Sequence, residues 1–202
     1  NPISPLKPEF SDMKLQQFQK EWVGAQQSTR LHVCWAGRLD DGKRIDVVLE
    51  TARQCPEFTF HLFGERVLND TAADPLINKP KNVIYQGPFT PSLIQAFGVF
   101  DVFMFTSIWE GLPNILLEVG QTGLPITSSL VGGIGELITE NTGFPLPESA
   151  IAEDYSRALR EIEKKPSLAS KKANRLKNLI NKRHSYKNFY EALTKIEGYC
   201  DV

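Results

Sequence analysis

The stretch from Asp101 to Glu118, DVFMFTSIWEGLPNILLE, restricts the possible folds more than any other part of the chain. Val102, Phe103, Met104 and Phe105 form an apolar run short enough for a buried strand. Thr106 to Gly111 reads as a turn. Pro113 then fits the first position of a helix, where its missing N–H costs nothing. Leu116, Leu117 and Val119 suit that helix's interior. The result is strand, tight turn, helix, with Glu110 at the turn and Glu118 about two helical turns beyond it. The amides from Gly111 to Ile115 would lie at a positive helix end and favour an anion such as phosphate. Gly111 allows a close approach of backbone to ligand. Ionised carboxylates only accept hydrogen bonds, so Glu110 and Glu118 suit hydroxyl-bearing ligands. Spacing alone is a weak signal, because exposed helices are full of glutamate.

The same strand-then-helix unit recurs along the chain. Leu31 to Ala36 reads as a first strand, followed by a helix carrying Ile45, Val48, Leu49 and Ala52. Phe58 to Phe63 and Asn82 to Gln86 read as the next strands, with a polar loop over 65–81 between them. Thr90-Pro91 opens a short helix through Phe97, and Leu124 to Ser128 gives a fifth strand. Gly132 to Ile138 reads as a further turn into helix, with Glu136 as a helix N-terminal charge. Gly132 and Gly133 serve close backbone approach. A last strand fragment follows at Gly143 to Leu146. Helices are predicted over Ile151 to Glu163, Ser167 to Asn181 and Tyr186 to Ile196. Alternating strands and helices imply a parallel sheet of doubly wound, Rossmann-like type, with ligands at the carboxyl ends of the strands. Residues 1–28 read as a Pro-rich linker and a helix capped at Ser11, 29–184 as the main domain, and 185–202 as a terminal helix.

Four segments, VCWAGRLDDGK from Val33, EGLPNILLE from Glu110, GLPIT from Gly123 and VGGIGE from Val131, come in an order that resembles retaining GT-B glycosyltransferases, above all glycosyltransferase family 4. The resemblance covers residues 31–147. It implies that the chain is the C-terminal, donor-binding half of an enzyme that moves a hexosyl group from a nucleotide diphosphate sugar to a hydroxyl, retaining configuration. Arg38 and Lys43 would hold the leaving diphosphate, the first with a planar fork and the second with a point charge, with no bound metal or cofactor. Glu110 would contact the transferred sugar and Glu118 the ribose hydroxyls. Gly37, Gly111, Leu112, Pro113, Asn114 and Ile115 would line the donor site. Gly87 and Phe89 would lie beside the base. Asn114 reads equally as a helix-start residue, and Phe89 equally as core. Arg44 departs from the family, whose members usually carry glycine after the lysine, which bears on loop shape. The implied partners are a missing N-terminal acceptor-binding domain, the nucleotide sugar and a glycan or lipid-linked acceptor. Alone, the chain would bind donor weakly and turn over little. A nucleotide-sugar epimerase of the same architecture and a non-catalytic binding module are the competing readings.

Composition fits this. In 202 residues, 41% hydrophobic, there is enough apolar material for one core. The 23 basic and 24 acidic residues are interspersed, net −1, which disfavours a nucleic-acid surface. Cys34, Cys55 and Cys200 lack paired spacing and read as reduced thiols. His32, His61 and His184 look isolated, with no ligand role. There is no Gly-x-Gly-x-x-Gly, P-loop, zinc spacing or Gly-x-Ser-x-Gly elbow. No membrane span or signal peptide is visible, so a cytoplasmic location is expected, with any membrane association carried by the missing domain. The Pro-rich start without Met suggests a piece of a longer protein.

Overall fold

The computed structural model describes Lys20 and residues 30–65, 76–89 and 91–195. The predicted linker, the helix capped at Ser11, Cys200 and most of the polar loop lie outside these residues. Six parallel strands form one sheet in the order β3-β2-β1-β4-β5-β6. They are β1 His32–Ala36, β2 Thr59–Phe63, β3 Val83–Gly87, β4 Val102–Phe105, β5 Ile126–Ser129 and β6 Phe144–Leu146. Helices α1 Ile45–Gln54, α2 Asn114–Thr122, α3 Ala152–Lys164, α4 Pro166–Arg183 and α5 Tyr186–Leu193 connect and follow them. This is the Rossmann-like arrangement expected, and each predicted strand falls within two residues of its observed bounds at either end.

The four inner strands, β2, β1, β4 and β5, are buried on both faces because their side chains alternate between two cores, while the edge strands β3 and β6 are only partly buried. Val33 and Trp35 of β1, Phe60 and Leu62 of β2, and Val102 and Met104 of β4 share one core with α1 and α3. Cys34, Ala36, Phe63, Phe103 and Phe105 point the other way, into a core with α2 and with Leu176 and Ile180 of α4. Two cores explain why the strands read as continuous apolar runs instead of alternating ones. Gly120 lets α2 approach α4, since a Cβ there would meet Ile180 Cδ1 at 2.4 Å.

Several connections differ from expectation. The expected short helix after Thr90 is a 3-10 helix, Pro91–Val99, and the expected helix after Gly132 is only a five-residue 3-10 turn, Gly132–Glu136. Glu136 is therefore the last residue of a five-residue turn and exposed, not a charge at a helix N-terminus. Pro113 caps α2 instead of opening it: its ψ of 124° is extended, and its carbonyl accepts from Leu116 N at 3.1 Å. His32 and His61 are brought together by neighbouring strands, Nδ1 to Nε2 at 3.0 Å, and Gln86 Nε2 meets His61 Nδ1 at 3.1 Å.

Candidate functional site

The strand order reverses direction between β1 and β4, and the crevice at such a switch point is where open parallel sheets bind ligands. Here the loop 37–43 leaves β1 and the turn 106–111 leaves β4, so two segments distant in sequence meet at one sheet end. Thr106 Oγ1 donates to Lys43 O at 2.6 Å and accepts from Trp35 Nε1 at 3.0 Å. Ile108 N donates to Gly42 O at 3.1 Å. These bonds fix the turn against the loop, and the Lys43 ammonium forms a partly buried ion pair with the Glu110 carboxylate.

Asp40 organises the loop. Its Oδ1 accepts from Lys43 N at 3.0 Å, capping the short turn Asp41–Lys43. Its Oδ2 pairs with Arg38 Nε at 3.0 Å. Arg44 follows at φ 51°, the only non-glycine residue among those described with positive φ. A left-handed residue is needed between the turn and α1, which explains why glycine suits that position. Arg44 recovers part of the cost by donating from Nη1 to Ala150 O at 3.0 Å.

Glycines close the other walls. Gly64 lies so near Gly37 that a Cβ would stand 1.8 Å from Gly37 O, and Gly64 N donates to Gly87 O at 2.9 Å. Gly132, at φ 55°, comes equally close to Glu110 O, and Gly133 N donates to Gly111 O at 2.8 Å. The close approach expected of Gly132 and Gly133 is thus an approach to the Glu110 turn itself.

A cavity of about 350 Å³ opens at this place. Of the predicted site residues, Gly37, Arg38, Lys43, Phe89 and Ile115 line it. Gly87 adjoins it at the end of β3, and Glu110 joins it through Lys43. Phe89 is half-buried and packs on the second core while facing the cavity, so both of its readings hold. Leu112 is half-buried against the same core, Pro113 is buried at the cap, and Gly111 and Asn114 are exposed. A Cβ at Gly111 would meet nothing within 4 Å, which leaves that peptide open to a ligand.

Glu118 does not line the cavity. It sits one turn along α2 from Ile115, on the same helix face, half-buried, and no hydrogen bond or ion pair reaches its carboxylate among the described residues. Burial raises its carboxyl above the ordinary range. The sequence reading missed Gly64, Glu65, Pro88 and Phe105 in the cavity wall, and the roles of Asp40 and Thr106. Asp40 carried a local signal, an acceptor three residues before Lys43 at a turn start. Trp109, next to Glu110, is 81% exposed.

The arrangement offers two cations, each paired with a carboxylate, around a cavity whose wall includes Gly37 and Gly64. An anion entering there can take Arg38 and Lys43 from Asp40 and Glu110. Among the described residues no three His, Cys, Asp or Glu side chains gather as a metal-binding group, and no helix is long and apolar enough to cross a membrane.

Residues 30–164 match the family model of glycosyl transferases group 1. WcaL of Escherichia coli (strain K12), assigned by name to colanic acid biosynthesis as a glycosyltransferase, is 28% identical over 139 residues, 60% of this chain and 34% of WcaL. The Vi polysaccharide biosynthesis protein VipC/TviE of Salmonella typhi is 34% identical over 64 residues, 32% of this chain and 11% of its own. The chain thus spans about a third or less of these relatives' length. Among solved structures, Anabaena Alr3699/HepE in complex with UDP-glucose superposes with a TM-score of 0.75 at 17% identity, over 92% of this chain and 54% of HepE. That likeness is one of fold. With the family model covering all six strands and every residue of the cavity wall, the chain belongs to the group 1 glycosyltransferases, and its Rossmann-like sheet matches that of GT-B glycosyltransferase structures.

Proposed function

We propose that this chain is the donor-binding half of a retaining, family 4-like glycosyltransferase that uses a nucleotide diphosphate sugar. The observation that carries the reading is the meeting of Arg38, Lys43 and Glu110 at the switch-point cavity. As the glycosidic bond to the diphosphate breaks, negative charge grows on the leaving oxygen. Once bound to the diphosphate oxygens, Arg38 and Lys43 stabilise that charge electrostatically, Lys43 from the more shielded position. The same exchange releases the Glu110 carboxylate, which can then accept from hydroxyls of the transferred sugar. Glu118, farther along α2, accepts from the ribose. Retention follows if the acceptor attacks from the face the diphosphate leaves, with a phosphate oxygen taking the acceptor's proton. Chemistry of this kind relies on positioning and electrostatics.

In this reading residues 29–184 form the donor domain, and α5 within 185–202 packs toward an acceptor-binding domain of the complete enzyme. The chain alone binds donor and transfers little. UDP is the first nucleotide to test because HepE was crystallised with UDP-glucose, and the two relatives' names, which place them in polysaccharide biosynthesis, make glycan and lipid-linked acceptors the first to try. The reaction proceeds without a bound metal, so chelator leaves the rate unchanged. The deciding experiment gives the complete enzyme labelled donor with oligosaccharide acceptors and reads the product's anomeric configuration by NMR. Transfer with the donor's configuration supports the proposal. An inverted product sinks the retaining assignment, and epimerised donor without transfer favours the epimerase.

A further inference from the structure

We propose that Thr106 is a positioning residue of the donor-phosphate site, acting through Lys43; this rests on the reading of Lys43 as a diphosphate ligand. Thr106 is the first residue after β4 and is 2% exposed, so its hydroxyl is not presented to a substrate. An indole N–H can only donate and a carbonyl can only accept. The chain of bonds therefore has one direction: Trp35 Nε1 donates to Thr106 Oγ1 at 3.0 Å, and Thr106 Oγ1 donates to Lys43 O at 2.6 Å. Trp35, buried in the sheet core, leaves the hydroxyl proton nowhere better to point than Lys43.

The backbone of Lys43 is held on its other side as well, where its N–H donates to Asp40 Oδ1 at 3.0 Å. With both ends of the residue fixed, its Cβ direction is set, and the ammonium is delivered to Glu110 and the cavity. The next residue, Arg44, keeps a left-handed φ of 51° that a freed loop would relax. Loss of the Thr106 hydroxyl leaves Trp35 Nε1 and Lys43 O without this partner in a buried place, and the cheapest relief is a shift of the Lys43 loop. Nothing in this chain of bonds touches the nucleoside side of the cavity, so the effect falls on the phosphates.

The test is calorimetric titration of this chain with UDP, GDP and ADP, taking the tightest binder and comparing it with its parent nucleoside. Thr106→Val, nearly the same shape without the hydroxyl, is expected to weaken diphosphate binding about tenfold and the nucleoside less than about twofold. Thr106→Ser restores wild-type affinity. In a Lys43→Met background Thr106→Val costs nothing further, the non-additivity of two residues acting through one group. Trp35→Phe provides a second variant: it keeps the hydroxyl but frees its proton to turn, and an intermediate loss confined to the diphosphate is expected. Equal weakening of diphosphate and nucleoside, an additive loss in the Lys43→Met background, or unchanged diphosphate affinity in both single variants overturns the proposal alone. If the unaltered chain binds no nucleoside diphosphate, the reading of the site falls and the proposal with it.

Discussion

Lys43 is paired with Glu110 and Arg38 with Asp40, so on the proposed function a diphosphate competes with two carboxylates. The two displacements differ in cost. Arg38 is 66% exposed and its pair is screened by water, whereas the Lys43–Glu110 pair is mostly shielded. On the proposed function, Lys43 is thus the residue whose loss should weaken binding most. Glu118 carries a separate signature. Burial raises its carboxyl, and accepting from ribose hydroxyls requires the ionised form. Donor affinity should therefore fall as pH drops through this raised value, starting at a higher pH than an exposed glutamate would give. Titration of the nucleoside across pH 4–8, a window chosen to bracket the ordinary glutamate value of about 4.3, reads this directly, and Glu118→Gln should flatten the profile. A wild-type profile as flat as the variant's would remove Glu118 from the binding role. At this scale Arg38, Lys43 and Glu110 were legible because each lies in a short motif. Asp40 and Thr106 were not singled out, because their partners are decided by which loops the sheet brings together.

Among the elements, the turn Gly132–Glu136 does the most for the site, since it forms a backstop to the Glu110 turn. A Cβ at Gly132 would stand 1.8 Å from Glu110 O, and its φ of 55° disfavours any L side chain. Gly132→Ala should cost about 2–5 kcal/mol, the sum of a left-handed penalty and an overpacking penalty, measured as a urea-midpoint shift. Gly135 is the control: a Cβ there meets nothing within 4 Å, so Gly135→Ala should be near neutral. Equal costs for the two would mean that the backstop is not tight. The sequence pointed to a turn here, but periodicity does not separate a 3-10 turn from a first helical turn. Pro113 illustrates the same limit: its fixed φ fits both the cap and the first helical position, and only ψ separates them. The strands were easier where a short apolar run such as Val102 to Phe105 lies between turn signals.

At the scale of the molecule, one buried polar thread crosses the sheet from Gln86 through His61 to His32. Burial, aided by neighbouring His32, pushes the His61 imidazole down to about 3. In the unfolded chain it titrates near 6.5, so between these values the unfolded state binds a proton that the folded state does not. The His61 contribution to stability is therefore full above about pH 6.5 and falls as pH drops toward 3, with a slope approaching 1.4 kcal/mol per pH unit. Urea unfolding at pH 7 and pH 5 checks the direction, and His61→Gln should reduce the difference; a variant that loses as much stability on acidification as the wild type would contradict it. The pairing of the two histidines was invisible in the sequence because strand register sets it. Strand order was legible only as far as alternation implies parallel crossovers, and the reversal between β1 and β4 that opens the cavity needed the structure.

The central claim is that this cavity binds a nucleoside diphosphate through Lys43. Calorimetric titration of the chain with UDP at low and high salt, wild type against Lys43→Met, tests it most directly. Saturable wild-type binding that weakens with salt, and at least about tenfold weaker binding in Lys43→Met, is the predicted result. Equal affinity in the two proteins, or no binding of UDP, GDP or ADP by the wild type, would contradict it.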